Sequence, residues 1–479
     1  MSAKTTHRFT ATFSPVSNTG VLLWLQKHQV IIIGGIVSYM MLILLIGAPL
    51  WTPPHIILMG IAGLSAVTIK GRSLIQLAAI RLGFALRSVT GQTRWTLNPL
   101  SQDEIVGLID LPGAAGQRLK PLEVVNTQFK GASFLYDKEN SQATAILRCM
   151  GKPFVFTSTD TQDERARQFS HMLSQLSEYP DIVRLTIQSR SLMTPFHVEI
   201  ADNNEFAADE IRDMVAENMR VIMSHDMIIS LTVSQDKAKN LVKNYGGGVA
   251  GISGLLKDRL IPLVNMLEQA GIDSQAGIVW ENTAQIRAMM KLMSDATAYG
   301  TINERLELDD DVPVASNYRE YMDYVHVGDT YARTLWVDKW PSDPATVGFL
   351  HQLTSVRDAQ IVFTQAFKPK PENKARRALN ARKDELERIK RLNKNMGRND
   401  DPRLILEDDE VDKRLTELVV HKAEVDFQGF VTILAPSKLL LDETTRNIIT
   451  SMTFMHFDRM HGQQYAAWVS ALPLGQAGR

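Results

Sequence analysis

The 479-residue sequence contains one cysteine, Cys149. A single thiol excludes an internal disulfide framework and any cysteine-based zinc site. It lies in "ATAILRCMG", a strand-like run in which burial is the expected fate. Acidic residues are missing from the N-terminal stretch: no Asp or Glu precedes Asp103, although eight Lys or Arg do. Beyond it, 44 Lys or Arg face 53 Asp or Glu, so the overall charge of −1 hides two environments for one chain. No G-x-S-x-G, H-E-x-x-H or G-K-[ST] occurs, and Gly151-Lys152 runs into Pro153. Those absences remove the nucleophile elbow, the zincin helix and the Walker A loop.

What the N-terminal stretch does have is apolar length. Val30 to Leu50 is 21 residues without a charge, enough for a helix to cross a bilayer core. "WTPPH" makes a turn, and a shorter apolar run, Ile56 to Ile69, follows. The loop between the runs holds no Lys or Arg, whereas Lys4, Arg8 and Lys27 precede them and Lys70, Arg72, Arg81, Arg87 and Arg94 follow. The positive-inside rule then puts both termini in the cytosol and Trp51 at the outer interface. Residues 71–87 space three arginines among Leu, Ile and Phe. They read as an amphipathic helix on anionic membrane lipid, or as a helix packed on the soluble part.

From about residue 130 strands and helices alternate. "ATAILRC" (143–149), helix 161–179 with Thr161 and Glu164 at capping-box spacing, "IVRLTIQSR" (182–190), helix 207–224 and strand 227–233 form one series. Strand 330–340, helix 344–353, strand 359–367, strand 425–435 and helix 437–455 repeat the order. The expected fold class is α+β: an N-terminal transmembrane helical hairpin, then a duplicated ferredoxin-like cytosolic region carrying a long helical hairpin. The expected domains are 1–95 (membrane hairpin with basic helix), 96–130 (linker), 131–325 (first α+β unit) and 326–479 (second unit, with the insertion at 371–424).

"NYGGGVAGISG" (244–254) matches two nucleotide signatures. Gly246, Gly248 and Gly251 spell G-x-G-x-x-G, and Gly246, Gly251 and Ser253 fit a Walker frame with Ile252 in place of lysine. A dinucleotide fingerprint needs a strand directly before the first glycine. Residues 235–244 look helical instead, so the stretch reads as a helix end and turn before a helix at 254–270. His456 and His461 around Asp458 have the wrong spacing for one helical face and read as a surface helix end. "LDDDVP" (308–313) and "EDDE" (407–410) lack the ligand alternation of a calcium loop and read as solvated loop charges. No catalytic, metal or cofactor residue is assigned, and the chain is expected not to be an enzyme.

Residues 368–398 hold twelve Lys or Arg and four acids. Leu379, Leu386, Ile389 and Leu392 fall at helical spacing, and an acidic arm with Leu406, Leu415 and Leu418 runs back. The two arms brace each other, or the basic arm meets nucleic acid, anionic lipid or an acidic protein partner. The basic arm has no aromatics, which disfavours base stacking.

"MHGQQYAAWVSALPLGQ" (460–476), "TYARTLWVDKWP" and "LSQLSEYPDIVRLTIQSRS" resemble the N-terminal domain of the large type IV secretion ATPase, and "LPGAAGQRLKPLEVV" (111–125) resembles a family linker. The arrangement is similar to an actinobacterial conjugation-type membrane protein. There a PrgI-like membrane hairpin precedes a copy of the VirB-type ATPase domain without its motor. The resemblance implies a non-enzymatic inner-membrane scaffold of a conjugative or type IV-like secretion machine. Its partners would be membrane lipid, other membrane subunits and a separate secretion ATPase docked on β-layer faces 143–235 and 330–435. With the sequence ending at Arg479 and no motor present, ATP hydrolysis is expected from another polypeptide. The alternatives are a type VII secretion membrane subunit of the EccE kind and, from another class, a membrane-tethered nucleotide-binding enzyme.

Overall fold

The computed structural model describes residues 10–11, 27–47, 52–66, 68–69, 72–97, 111–125, 129, 131–149, 157–195, 221–272, 278–295, 298, 301–302, 305–341, 345–346, 348–350, 353, 359–395, 399, 402–421 and 423–477. They divide into two compact units. One holds described residues of Ser14–Gln92 and Asn373–Val420; the other those of Thr93–Glu372 and His421–Arg479, with Thr10 and Ala11.

The N-terminal helices are α1 (Lys27–Leu45), α2 (Pro53–Ala66) and α3 (Leu74–Val89). Pro53 opens α2, where a missing N–H leaves no bond unmade. Buried His55 ties the first two helices together: Nδ1 lies 2.7 Å from Thr52 Oγ1, and Nε2 lies 3.3 Å from the Tyr39 hydroxyl. At 1.5 Å per residue α1 and α2 rise about 28 and 21 Å, against a hydrocarbon core of about 30 Å. Among the described residues no helix is long and apolar enough to cross a membrane, so the expected pair of spans has no match among them.

The larger unit follows in chain order: β1 (Arg94–Thr96), α4 (Gly113–Arg118), β2 (Leu119–Glu123), β3 (Ser133–Asp137), β4 (Gln142–Cys149), α5 (Thr159–Leu176), β5 (Ile182–Pro195), β6 (Val221–Ser234), α6 (Lys239–Asn244), α7 (Gly248–Gln269), β7 (Val279–Trp280) and α8 (Thr283–Ser294). Then come β8 (Asn317–Glu320), β9 (Val325–Val327), β10 (Thr330–Lys339) and β11 (Gln360–Pro371). The hairpin α9 (Glu372–Asn395) and α10 (Pro402–His421) intervenes before β12 (Ala423–Ala435), α11 (Lys438–Ser451), β13 (His456–Asp458) and α12 (Gln464–Ala471). The structure is mixed α+β, and these thirteen strands, among the described residues, join one sheet whose ladders are antiparallel.

The strand order is β1-β8-β9-β10-β12-β11-β5-β6-β4-β3-β2, with β7 on β4 and β13 on β10. Read outward from the middle, β5-β6-β4-β3-β2 matches β11-β12-β10-β9-β8. The register is symmetric as well. Thr364 pairs with Gln188, flanked by Val362 with Arg190 and Ala366 with Thr186. A local two-fold therefore passes through the Gln188–Thr364 pair, making row Leu147–Ile229–Ile187 the counterpart of row Leu335–Val431–Phe363.

Alternation along the strands gives the sheet two faces. Leu147, Leu185, Ile187, Ile229 and Leu231 meet α5 and α7 on one face; Leu335, Ile361, Phe363, Val431 and Ile433 meet α11 on the same face. On the other face α8, α12 and Leu472 and Leu474 cover Ile146, Ile228, Val362 and Leu434. The central strands are thus buried on both sides.

Several sequence expectations change in detail. Residues 221–224, read as the end of a helix, begin the fourteen-residue strand β6, because they continue its ladder with β5; 201–220 lie outside the described residues. Ala345 and Thr346, read as helix, pair with Ala11 and Thr10. Helix α5 is capped three residues before the expected box begins, by Ser158, whose side chain accepts from Thr161 N at 3.3 Å. The second set of strands starts with β8 at Asn317, ahead of the expected boundary at 325/326.

Candidate functional site

The glycine stretch resolves into two helices pressed together. Helix α6 ends at Asn244, and Gly246 and Gly247 carry φ of 98° and 69°. Gly247 N donates to Val242 O at 2.9 Å, closing the helix end as expected. Helix α7 begins at Gly248, earlier than the expected 254, so Gly251 and Ser253 are helical. A Cβ on Gly251 would stand 2.2 Å from Val242 O, and one on Gly254 would stand 2.7 Å from the Tyr245 ring. These glycines let α6 lie on α7. Buried Ser253 donates to Val249 O at 2.8 Å and accepts from Val125 N at 3.2 Å. Twelve residues separate β6 from Gly247, so no strand-to-helix phosphate loop forms here.

The carboxylates of Asp309, Asp310 and Asp311 are exposed, as expected of solvated loop charges, while the backbone of the loop is engaged. Asp309 to Val312 wrap the buried Arg287 guanidinium, which donates to the carbonyls of Asp309, Asp310 and Val312 and pairs with the Asp310 carboxylate at 3.1 Å. Glu407 and Asp408, read as solvated, brace the hairpin, as described below. His456 opens strand β13 instead of ending a helix, with Nδ1 3.2 Å from Asp338 Oδ2. Among the described residues no three His, Cys, Asp or Glu side chains gather in a metal-binding arrangement. Cys149 is buried, and loss of solvent pushes its thiol up to about 12, with Asp226 adding to the rise. A thiol so held is poorly nucleophilic at neutral pH.

The hairpin is an antiparallel pair with a narrow apolar seam. Ala375 and Leu379 meet Leu415 and Leu418; Leu386 and Ile389 meet Leu404 and Val411. Charge runs beside the seam. Arg382 Nη2 lies 2.5 Å from Glu407 Oε1, Lys390 Nζ lies 2.5 Å from Asp408 Oδ2, and Lys383 pairs with Asp412. Half-buried Arg382 has its pKa raised: burial opposes the charge, but hydrogen bonds to Glu407 and Glu385 outweigh it. The arms therefore brace each other through part of their charge. Lys374, Arg377, Arg388 and Lys394 stay exposed with no ion pair among the described residues.

Sequence reasoning missed a groove of about 540 Å³ beside β7 and α7. Phe129, Leu147, Leu260, Val264 and Trp280 form its apolar wall. Most of its polar rim is committed: Trp280 Nε1 donates to Ser133 O, and Asn282 and Gln285 cap α8 in a reciprocal box. Its parts come from segments about 150 residues apart, so no local motif announces it. No protein-family model and no curated protein matches the chain.

Proposed function

We propose that the protein is a non-enzymatic inner-membrane scaffold subunit of a conjugative or type IV-like secretion machine, and that it docks a separate motor ATPase. The observation that carries the membrane part is the uncovered apolar surface of α1 and α2. Leu45 is 82% exposed, Met41 69% and Ile57 62%, and their neighbours Leu42, Leu44, Ile56 and Met59 are exposed too. Large apolar side chains exposed together in this way mark an interaction or membrane surface. Lipid is the solvent that fits it. The reading seats α1 and α2 as a hairpin in the bilayer, with both termini and the large unit on the cytosolic side.

We also infer that the two matched sets of strands are ferredoxin-like repeats. In each, a first strand (β4, β10) and a second (β5, β11) sandwich a third (β6, β12), and a short fourth (β7, β13) pairs with the first. This supports the resemblance to the N-terminal domain of secretion ATPases, and with it a role as an assembly surface. The hairpin, inserted between the second and third strands of the latter repeat, serves as the docking arm. Its outer cations Arg377, Arg388 and Lys394 take an acidic partner surface.

Two measurements test the proposal. Reporter fusions at residues 48 and 120 should report opposite sides of the membrane; cytosolic exposure at both leaves only a re-entrant hairpin, and a fully soluble chain overturns the reading. Affinity capture of the detergent-solubilised protein should retain a motor ATPase in a salt-sensitive manner. Reversing Arg377, Arg388 and Lys394 to Glu should release it. ATP turnover by the purified chain alone would refute the scaffold role.

A further inference from the structure

The sheet face under α8, α12 and residues 472–477 carries an unusual set of side chains. Arg184, Thr186, Gln188, Arg190, Ser230, Thr232 and Thr144 all lie on it and all are buried. Among the described residues, fully buried polar atoms without a partner concentrate here: Arg184 Nε, Thr186 Oγ1, Gln188 Oε1, Arg190 Nη1 and Ser230 Oγ. Buried polar groups are normally satisfied, so a cluster of unmet ones calls for a reason.

The charge at one end of this seam does not balance. Arg184 is 7% exposed; its one hydrogen bond runs from Nη1 to Ala477 O at 3.1 Å, and no described carboxylate pairs with it. Lys368 follows Phe367, the partner of Leu185, and so stands one step along the ladder beside Arg184. The carboxylates nearby are taken. Asp137 lies 3.3 Å from Arg118 Nε, and Asp426 lies 2.7 Å from Lys370 Nζ. Arg118 also reaches Gln476 Oε1 at 3.1 Å. With the largely exposed Glu139, 3.9 Å from Arg118 Nε, four cations thus share three carboxylates. Burial lowers the pKa of both Arg184 and Lys368; Asp137 opposes the fall at Arg184 and Arg118 adds to it, while at Lys368 Arg184 adds to the fall and Asp426 opposes it. The counterpart of Arg184 across the two-fold is Gln360, which is neutral and whose Oε1 accepts from Met193 N at 3.0 Å. One repeat has a satisfied amide where the other has an unpaired guanidinium. A buried cation without a counter-charge is costly, and an anion removes the cost.

We propose that Arg184 and Lys368 form a binding site for a small oxyanion, a phosphate or a carboxylate, at the end of this seam next to Ala477. Guanidinium and ammonium together supply charge-assisted donors for either group. The test is thermal unfolding of the full chain in detergent, followed by tryptophan fluorescence, with phosphate, acetate or chloride at one ionic strength. Phosphate at a hundredfold excess over its Kd should raise the wild-type midpoint by about 5 °C. Stabilisation by phosphate alone assigns phosphate; equal stabilisation by acetate assigns a carboxylate. Lys368→Gln should abolish the response. In chloride the same variant should melt above the wild type, because a like charge has gone, and in phosphate below it. Arg184→Gln should also lose the response, and if it fails to fold, Lys368→Gln decides. A wild-type midpoint equal in all three salts, or a Lys368→Gln response as large as wild type, overturns the proposal.

Discussion

The two repeats of the sheet share strand order and register but fill equivalent positions differently. On the face that meets α5, α7 and α11, the first repeat has Ala145 where the second has Arg333. Arg333 is 1% exposed on its side chain and pairs with Asp323 and Asp442, each at 2.8 Å, while Nη1 donates to Thr445 Oγ1 at 3.0 Å. On the opposite face the arrangement is reversed: the first repeat carries Arg184 and Arg190, the second Gln360 and Ala366. One repeat puts its buried charge under its helix with partners supplied; in the other, Arg190 is paired with Asp226, but Arg184, under the C-terminal segment, has a carbonyl and no ion pair among the described residues. The same scaffold therefore separates a structural use of buried charge from one that leaves binding capacity.

The junction between third strand and second helix differs as well. The second repeat crosses directly from β12 to α11, with Ser437 capping the helix by accepting from Leu440 N at 3.3 Å. The first inserts α6 and needs glycines where α6 meets α7. Gly251→Ala is the largest expected break, about 3 kcal/mol, since the overlap is with a backbone carbonyl that cannot swing away. Chemical denaturation of the larger unit would measure it, and a loss under 1 kcal/mol would mean the two helices do not touch. Its cause is close approach; φ at this glycine is not positive, so a modest loss from strain alone would misjudge it.

Arg333→Met should cost about 2 kcal/mol in the same assay. Truncation of a buried pair typically costs more, but Asp323 and Asp442 are each about one-third exposed and water takes up part of the loss. A neutral result would make the second repeat as tolerant at this row as the first. Ser437→Ala should cost about 1 kcal/mol, read from the midpoint of the same transition. The smallest effect is a pH slope. His326 has its pKa lowered chiefly by burial, with Asp329 opposing, so the folded state favours neutral imidazole. Its contribution is fully present above the ordinary value of 6.5 and is lost as pH falls from there towards the lowered folded-state value. His326→Gln should flatten the melting temperature between pH 5 and 7, where wild type declines.

Much of this was legible from period and spacing. Strands β4, β5, β10 and β12 stand in "ATAILRC", "IVRLTIQSR", "TYARTLWVDKW" and "VDFQGFVTILA" because alternation at period two is strong there. The hairpin was legible from leucine spacing, and its internal bracing was one of two open readings. What escaped was set by tertiary partners. "IVRLTIQSR" looks like a half-exposed strand, since nothing local tells that residues 471–477, nearly three hundred positions later, cover its polar side. Arg287 and the loop 308–313 read as separate charges until the fold brings them together.

The hairpin leaves the sheet between Pro371 and Ala423, which are themselves ladder partners. Its two feet are therefore one strand spacing apart, about 5 Å. A two-residue turn spans that gap. Replacing residues 372–422 by such a turn is expected to leave the β11–β12 ladder in register, so the insertion is joined to the sheet at a single rung.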